Sequence, residues 1–184
     1  MTLDRKAALE LVREHVKKEN NVKHMIAVGA AMRETALRLH NDPDRWDVVG
    51  ILHDIDFEEC TGPEDHTIVA RVILQNKVDE EMIETIMAHN AEHTKVPVDT
   101  DIKRALVACD AASGLVLACA LVMPSKRLAD VKSSSVIKKF GSKDFAKGVS
   151  RERIANCADL GLSLDEFLTI VLEGMKKVSA ELGL

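Results

Sequence analysis

The chain of 184 residues contains no tyrosine, one tryptophan and four phenylalanines. The missing tyrosine bears on one class of oxygen chemistry considered below. Four cysteines are present (Cys60, Cys109, Cys119 and Cys157), with no Cys-x-x-Cys pair and no zinc-finger spacing, so they read as free thiols. Basic excess is missing too: the formal net charge is -5, which gives no support to a general nucleic-acid binder. No apolar run approaches the ~18 residues of a membrane span. The first twenty residues form an amphipathic pattern of mixed charge with no signal peptide ahead of it, and the expected location is the cytoplasm. There is no internal repeat, low-complexity tail or linker, and no convincing alternation of the kind that marks strands.

What is present is helical periodicity. Hydrophobic residues make up 46% of the chain and charged residues 30%, as in an ordinary globular protein with a real core. Leu3 to Lys18 reads as a first helix and Val22 to His40 as a second, stopped by the turn before Pro43. Asp44 is placed to cap a third helix running into His53-Asp54. The breaker Cys60-Thr61-Gly62-Pro63 precedes a helix from about Glu64 to Gln75. Asp79 opens a fifth helix that fades near His93. Thr100 or Asp101 opens a long apolar helix through Leu121, ended by Met123-Pro124. From Ser125 to Gly148 the pattern loosens, and Ser150 and Ser163 then look like N-caps of two closing helices, the second with Glu166 in a capping box. The expected architecture is one all-α domain over residues 1–184, with a core at 21–122, a basic segment at 123–148, and closing helices at 150–183 packed onto that core.

Several polar residues fall on apolar faces of these helices. Asp110 sits in the stripe Leu106, Val107, Ser113, Gly114, Leu117, and a buried carboxylate must be paired, hydrogen-bonded or bound to metal. His24 continues the stripe Ala27, Val28, Ala31, and His53 ends Trp46, Val49, Gly50. His66 begins Val69, Ala70, Ile73, and His89 extends Met82 and Ile86. One such histidine is commonly satisfied by a neighbouring carbonyl. Five inward polar positions on five helices are better satisfied together by a shared metal site of imidazole and carboxylate ligands. His15 and His40, among charged or helix-terminal residues, read as solvated. His93, four residues after His89, is a candidate substrate contact.

A site built from His24, His53, Asp54 and Asp110 would hold a divalent ion that acidifies a bound water. His66 and His89 add donors for a second ion about 3.5–4 Å from the first, with Asp54 as the bridge. The cofactor is therefore one or two divalent ions, with manganese, iron, cobalt, zinc, nickel and magnesium all open. A phosphate substrate also needs cations. Between Met123 and Lys147 there are seven bases against two acids, and Lys126 and Arg127 are the candidate contacts, set against a solvated lysine-rich connection.

Taken as an ordered set, the motifs Asn-Val-Lys-His24, Leu-His53-Asp54-Ile-Asp56, Asp-His66-Thr, Ala-His89-Asn and Ala-Cys-Asp110-Ala resemble the HD superfamily of metal-dependent phosphohydrolases, in its small HDIG type. The resemblance covers about Asn21 to Asp110. It implies an all-α bundle with metals at its centre and hydrolysis of phosphate esters, often nucleotides. By motif position His24, His53, Asp54 and Asp110 match the family's first-metal ligands, and His66 and His89 match the extra histidines of its two-metal members. Asp56 stands where the HDIG signature has glycine. Phe57 replaces the lysine of the cyclic-dinucleotide phosphodiesterase branch, so that activity is not assigned. Asp54, Asp56 and Glu59 are the candidate catalytic carboxylates, with Asp56, Glu58 and Glu59 otherwise reading as a solvated acidic helix end.

Three functions compete. The first is hydrolysis of a small phosphorylated metabolite, with no membrane or general nucleic-acid partner. The second is a di-iron oxygenase with the same ligands, weakened by the missing tyrosine. The third is a non-catalytic metal-bound sensor or scaffold, weakened by a ligand set that looks complete.

Overall fold

The computed structural model describes residues 3–184. Among them every regular element is helical, in the order α1 (Arg5–His15), α2 (Glu19–Arg38), α3 (Pro43–Leu52), α4 (Ile68–Leu74), α5 (Glu80–Ala88), α6 (Ala91–Thr94), α7 (Asp101–Leu121), α8 (Ser133–Phe140), α9 (Arg151–Ala155), α10 (Leu164–Lys177) and α11 (Ser179–Leu182). Short 3-10 turns at Leu128–Asp130 and Asn156–Leu160 complete the set. The all-α expectation is met.

Two glycine contacts set the position of α2. A Cβ on Gly50 would lie 2.7 Å from Gly29 Cα, and one on Gly29 would lie 2.6 Å from Asp47 Oδ1. The α2 and α3 backbones therefore touch, with no room for a methyl group on either side. On another face, a Cβ on Gly174 would lie 2.6 Å from the Ala30 carbonyl oxygen, so α10 presses on α2 one residue further along. This pinch fixes how far His24, five residues before Gly29, stands from His53, three residues after Gly50.

Helix α7 crosses this pair and packs against α2, α3, α5, α8, α9 and α10. By length and composition it could cross a bilayer, yet 67% of its most apolar stretch is buried inside the bundle. Its apolar surface is used in the core, where Cys109 and Cys119 lie buried as free thiols.

The caps explain where the structure departs from the sequence expectation. Asp42, not Asp44, caps α3: its side chain accepts from Asp44 N and Arg45 N, with Pro43 at the first helical position, where its missing N–H costs nothing. Helix α4 begins at Ile68 and not near Glu64. Asp56, from the preceding turn, accepts from Thr67 N at 2.6 Å and Ala70 N at 2.9 Å, capping α4 from outside its own segment. Thr67 consequently sits at φ 68°, a left-handed conformation costly for a β-branched residue. The stretch read as loosened holds a helix, α8, whose buried Val136 faces α7 and α10. Asp79, Ser150 and Ser163 cap α5, α9 and α10 as expected.

Candidate metal centre

His53 and His89 arrive by the same device. Each is the residue following the last turn of its helix, where carbonyls lack intrahelical partners. His53 Nδ1 donates to Gly50 O at 2.8 Å, and His89 Nδ1 donates to Ile86 O at 2.6 Å. Using Nδ1 as the donor leaves Nε2 bare and turned inward. His66 is fixed in the same sense by a carboxylate: its Nδ1 donates to Asp56 Oδ1 at 2.9 Å. Asp110 comes from the middle of α7 and His24 from α2.

These residues converge on Asp54. Its Oδ2 lies 3.3 Å from His53 Nε2 and 3.8 Å from His24 Nε2. Its Oδ1 lies 3.3 Å from both His66 Nε2 and His89 Nε2. Asp110 Oδ1 closes the first half at 3.2 Å from His24 Nε2 and 3.8 Å from His53 Nε2. The cluster thus has two halves, and each carboxylate oxygen of Asp54 serves one. Two of the ligand groupings able to hold a metal ion are His24–His53–Asp110 and His53–Asp54–His89.

The donor set includes groupings able to hold a metal ion. His53 Nε2 is buried with no hydrogen-bond partner, which carries a desolvation cost of about 1–3 kcal/mol. His66 Nε2 and His89 Nε2 stand 2.9 Å apart, with the Nδ1 of each ring engaged by Asp56 and by the Ile86 carbonyl. The inward Nε2 atoms thus face one another and the carboxylate oxygens of Asp54 and Asp110. Protonating every ring would crowd like charges onto rings whose centroids are 4.8–5.2 Å apart. Imidazole nitrogens and carboxylate oxygens grouped in this way are a ligand set that suits a divalent ion.

The titration tendencies follow the same geometry. Burial opposes ionisation of Asp54, but the surrounding histidines outweigh it and hold the carboxyl well below the usual range. Asp110 likewise falls to about 2, with His24 and His53 overcoming burial. For His66, burial opposes protonation and the Asp54 and Asp56 carboxylates reverse it, raising the ring to about 9. Burial dominates at His89 and lowers it.

A third grouping, Asp56–Cys60–His66, does not share this character. The thiol of Cys60 is pushed up to about 12 by burial and the nearby Asp56, and a thiol is a poor ligand. Asp56 already accepts three hydrogen bonds.

Asp56 is fully buried and orients His66; it is neither solvated nor free to act as an acid or base. Glu59 binds His15 at 2.7 Å, away from the cluster, and His15 is correspondingly half-buried instead of solvated. Glu58 accepts from the Lys17 and Lys18 amides and from Asn21, tying the turn after α3 to the start of α2. His40 is exposed, as expected. His93 is exposed and contacts Asn90 Oδ1 at 3.0 Å. Lys126 and Arg127 are exposed, and neither makes an ion pair or side-chain hydrogen bond with a cluster residue.

The residue the sequence reading missed is Arg153. Its Nη2 lies 3.2 Å from Asp110 Oδ2 and donates to the His89 carbonyl at 3.0 Å. The available signal was the Ser150 N-cap, which sets the facing of α9, but it does not distinguish Arg153 from Arg151. Arg151 is occupied with loop carbonyls, among them Phe145 O, Ala146 O and Val149 O. A cleft of about 980 Å³ between α1, α2, α3 and α10 contains no cluster residue. Its cations are already paired: Arg5 with Asp47, Arg33 with Asp44, Arg45 with Asp79 and Lys177 with Glu34.

Comparison with protein-family models, with characterised proteins and with solved structures returns no match.

Proposed function

We propose that this chain is a metal-dependent phosphohydrolase of the HD type, acting on a small phosphate ester, with His24, His53, Asp54 and Asp110 at one ion and His66, His89 and Asp54 at a second. The observation that carries this reading is the convergence on Asp54. Bare imidazole nitrogens approach each of its two oxygens from different helices, at 3.3 Å in the closest cases. Divalent ions in such a site acidify water and neutralise charge on phosphoryl oxygens.

The chain's own residues supply the arrangement. The Gly50 and Ile86 carbonyls fix the tautomers of His53 and His89, and Asp56 fixes that of His66; such outer partners raise ligand basicity and hold ring orientation. The buried side of the centre is His53, fully enclosed, while His24 is 29% exposed. A substrate therefore approaches over the His24 side, with Phe57, 56% exposed and edge-on to His66 at 6.1 Å, on another part of the rim.

The test is turnover of a panel of phosphate monoesters, diesters and nucleotides by protein reconstituted separately with manganese, cobalt, nickel, zinc, iron and magnesium. Release of phosphate or nucleoside that is abolished by Asp54→Ala supports the reading. Full metal occupancy with no turnover across the panel contradicts it. Oxygen-dependent spectral change in the iron form would point instead to the oxygenase.

A further inference from the structure

We propose that Arg153 is the substrate-anchoring cation of this site, held by Asp110 and the His89 carbonyl through one guanidinium nitrogen and presenting its remaining donors to the anionic oxygens of a phosphate group on the cluster. This inference rests on the metal-site reading above and extends it to substrate recognition.

Four observations carry it. Among the described residues, Arg153 is the only arginine or lysine in an ion pair with a cluster residue. Its hydrogen bonds use Nη2 alone; Nε and Nη1 have no partner among the described residues. The side chain is 35% exposed, so it is not sealed in the core. Finally, the two oxygens of Asp110 are divided: Oδ1 faces His24 and His53, and Oδ2 faces Arg153. The guanidinium therefore stands at the edge of the metal cluster without occupying a metal-facing oxygen.

Its orientation is built into the fold. The Ser150 hydroxyl accepts from Arg153 N and sets the first turn of α9, which packs against α7 next to Asp110. A planar fork anchored at one nitrogen is suited to bind a phosphate oxygen with the others. The neighbouring Arg151 offers no such fork, since loop carbonyls engage it at Nε, Nη1 and Nη2. Among the described residues, the basic segment before it, with Lys126 and Arg127, makes no ion pair or side-chain hydrogen bond with the cluster.

The experiment begins with metal content of wild type, Arg153→Ala and Arg153→Gln after reconstitution with manganese, and continues with calorimetric titration of each metal-loaded protein with inorganic phosphate. Glutamine keeps a donor for Asp110 while removing the charge. The expected result is equal metal in all three, with phosphate affinity weakened roughly tenfold to a hundredfold in both variants, as for a lost charged hydrogen bond. Unchanged phosphate affinity at full metal occupancy overturns the proposal. Loss of metal from both variants also overturns it, assigning Arg153 to positioning of Asp110 alone. Absence of metal from wild type, seen in the first step before any phosphate is added, removes the metal-site reading and this inference together.

Discussion

At the scale of single residues, Asp54 is the hinge of the account because its two oxygens face different sets of histidines. That division makes the two halves separable. Removing His24 should cost the protein one ion and spare the other, while removing His66 should do the converse. Metal titration of His24→Ala and His66→Ala, read by competition with a chromophoric chelator, checks this; loss of both ions in each variant would mean the halves are not distinct. His24, His53, His66, His89 and Asp110 were legible in the sequence because each breaks an apolar stripe, and Asp54 because it adjoins His53. Asp56 was not, because its partners are backbone amides of Thr67 and Ala70 across a turn, and no side-chain pattern announces a cap supplied from another segment. Arg153 was hidden for a related reason: periodicity places it on α9 but says nothing about which helix end it reaches.

At the scale of elements, the close crossing of α2 and α3 and the cap of α5 carry predictions. Gly50→Ala should destabilise the fold by roughly 1–3 kcal/mol, toward the upper end because the methyl group meets backbone and not a movable side chain. Urea denaturation measures this, and an unchanged midpoint would contradict the crossing. Asp79 caps α5 through Met82 N and binds Arg45 through both oxygens. The Arg45 guanidinium holds its carboxyl below the ordinary range. A carboxylate with a depressed folded-state pKa contributes stability above its unfolded pKa and loses it as pH falls through the folded value. Asp79→Ala should therefore cost about 1 kcal/mol near neutral pH, the scale of a lost cap. The gap should close in acid below the Asp79 pKa, as denaturation at both pH values would record. The bounds of α7 and the caps Asp79, Ser150 and Ser163 were readable because local chemistry alone sets them. Helix α8 escaped because its three serines resemble a loop, and what stabilises it is burial of Val136 against α7 and α10, a tertiary effect.

At the scale of the whole molecule, the bundle gathers six ionisable side chains at its centre, and a divalent ion held there would bind the folded chain and not the unfolded one. Folding stability and metal occupancy are therefore linked. Adding a divalent ion to chelator-treated protein should raise its melting temperature, with a gain near 2.7 kcal/mol when free metal exceeds its dissociation constant about a hundredfold; calorimetric scans with and without metal decide this. The all-α architecture followed from periodicity alone, whereas the distance between His24 and His53 depends on Gly29 and Gly50, whose role emerges only when the helices are packed.

The most direct test of the central claim is elemental analysis of wild type and Asp54→Ala, purified without chelator and again after reconstitution with manganese, cobalt or zinc. If each oxygen of Asp54 serves one ion, wild type holds about two divalent ions per chain and Asp54→Ala loses nearly all of them. No metal in the wild type under either condition would contradict the central claim, leaving the histidines as core residues.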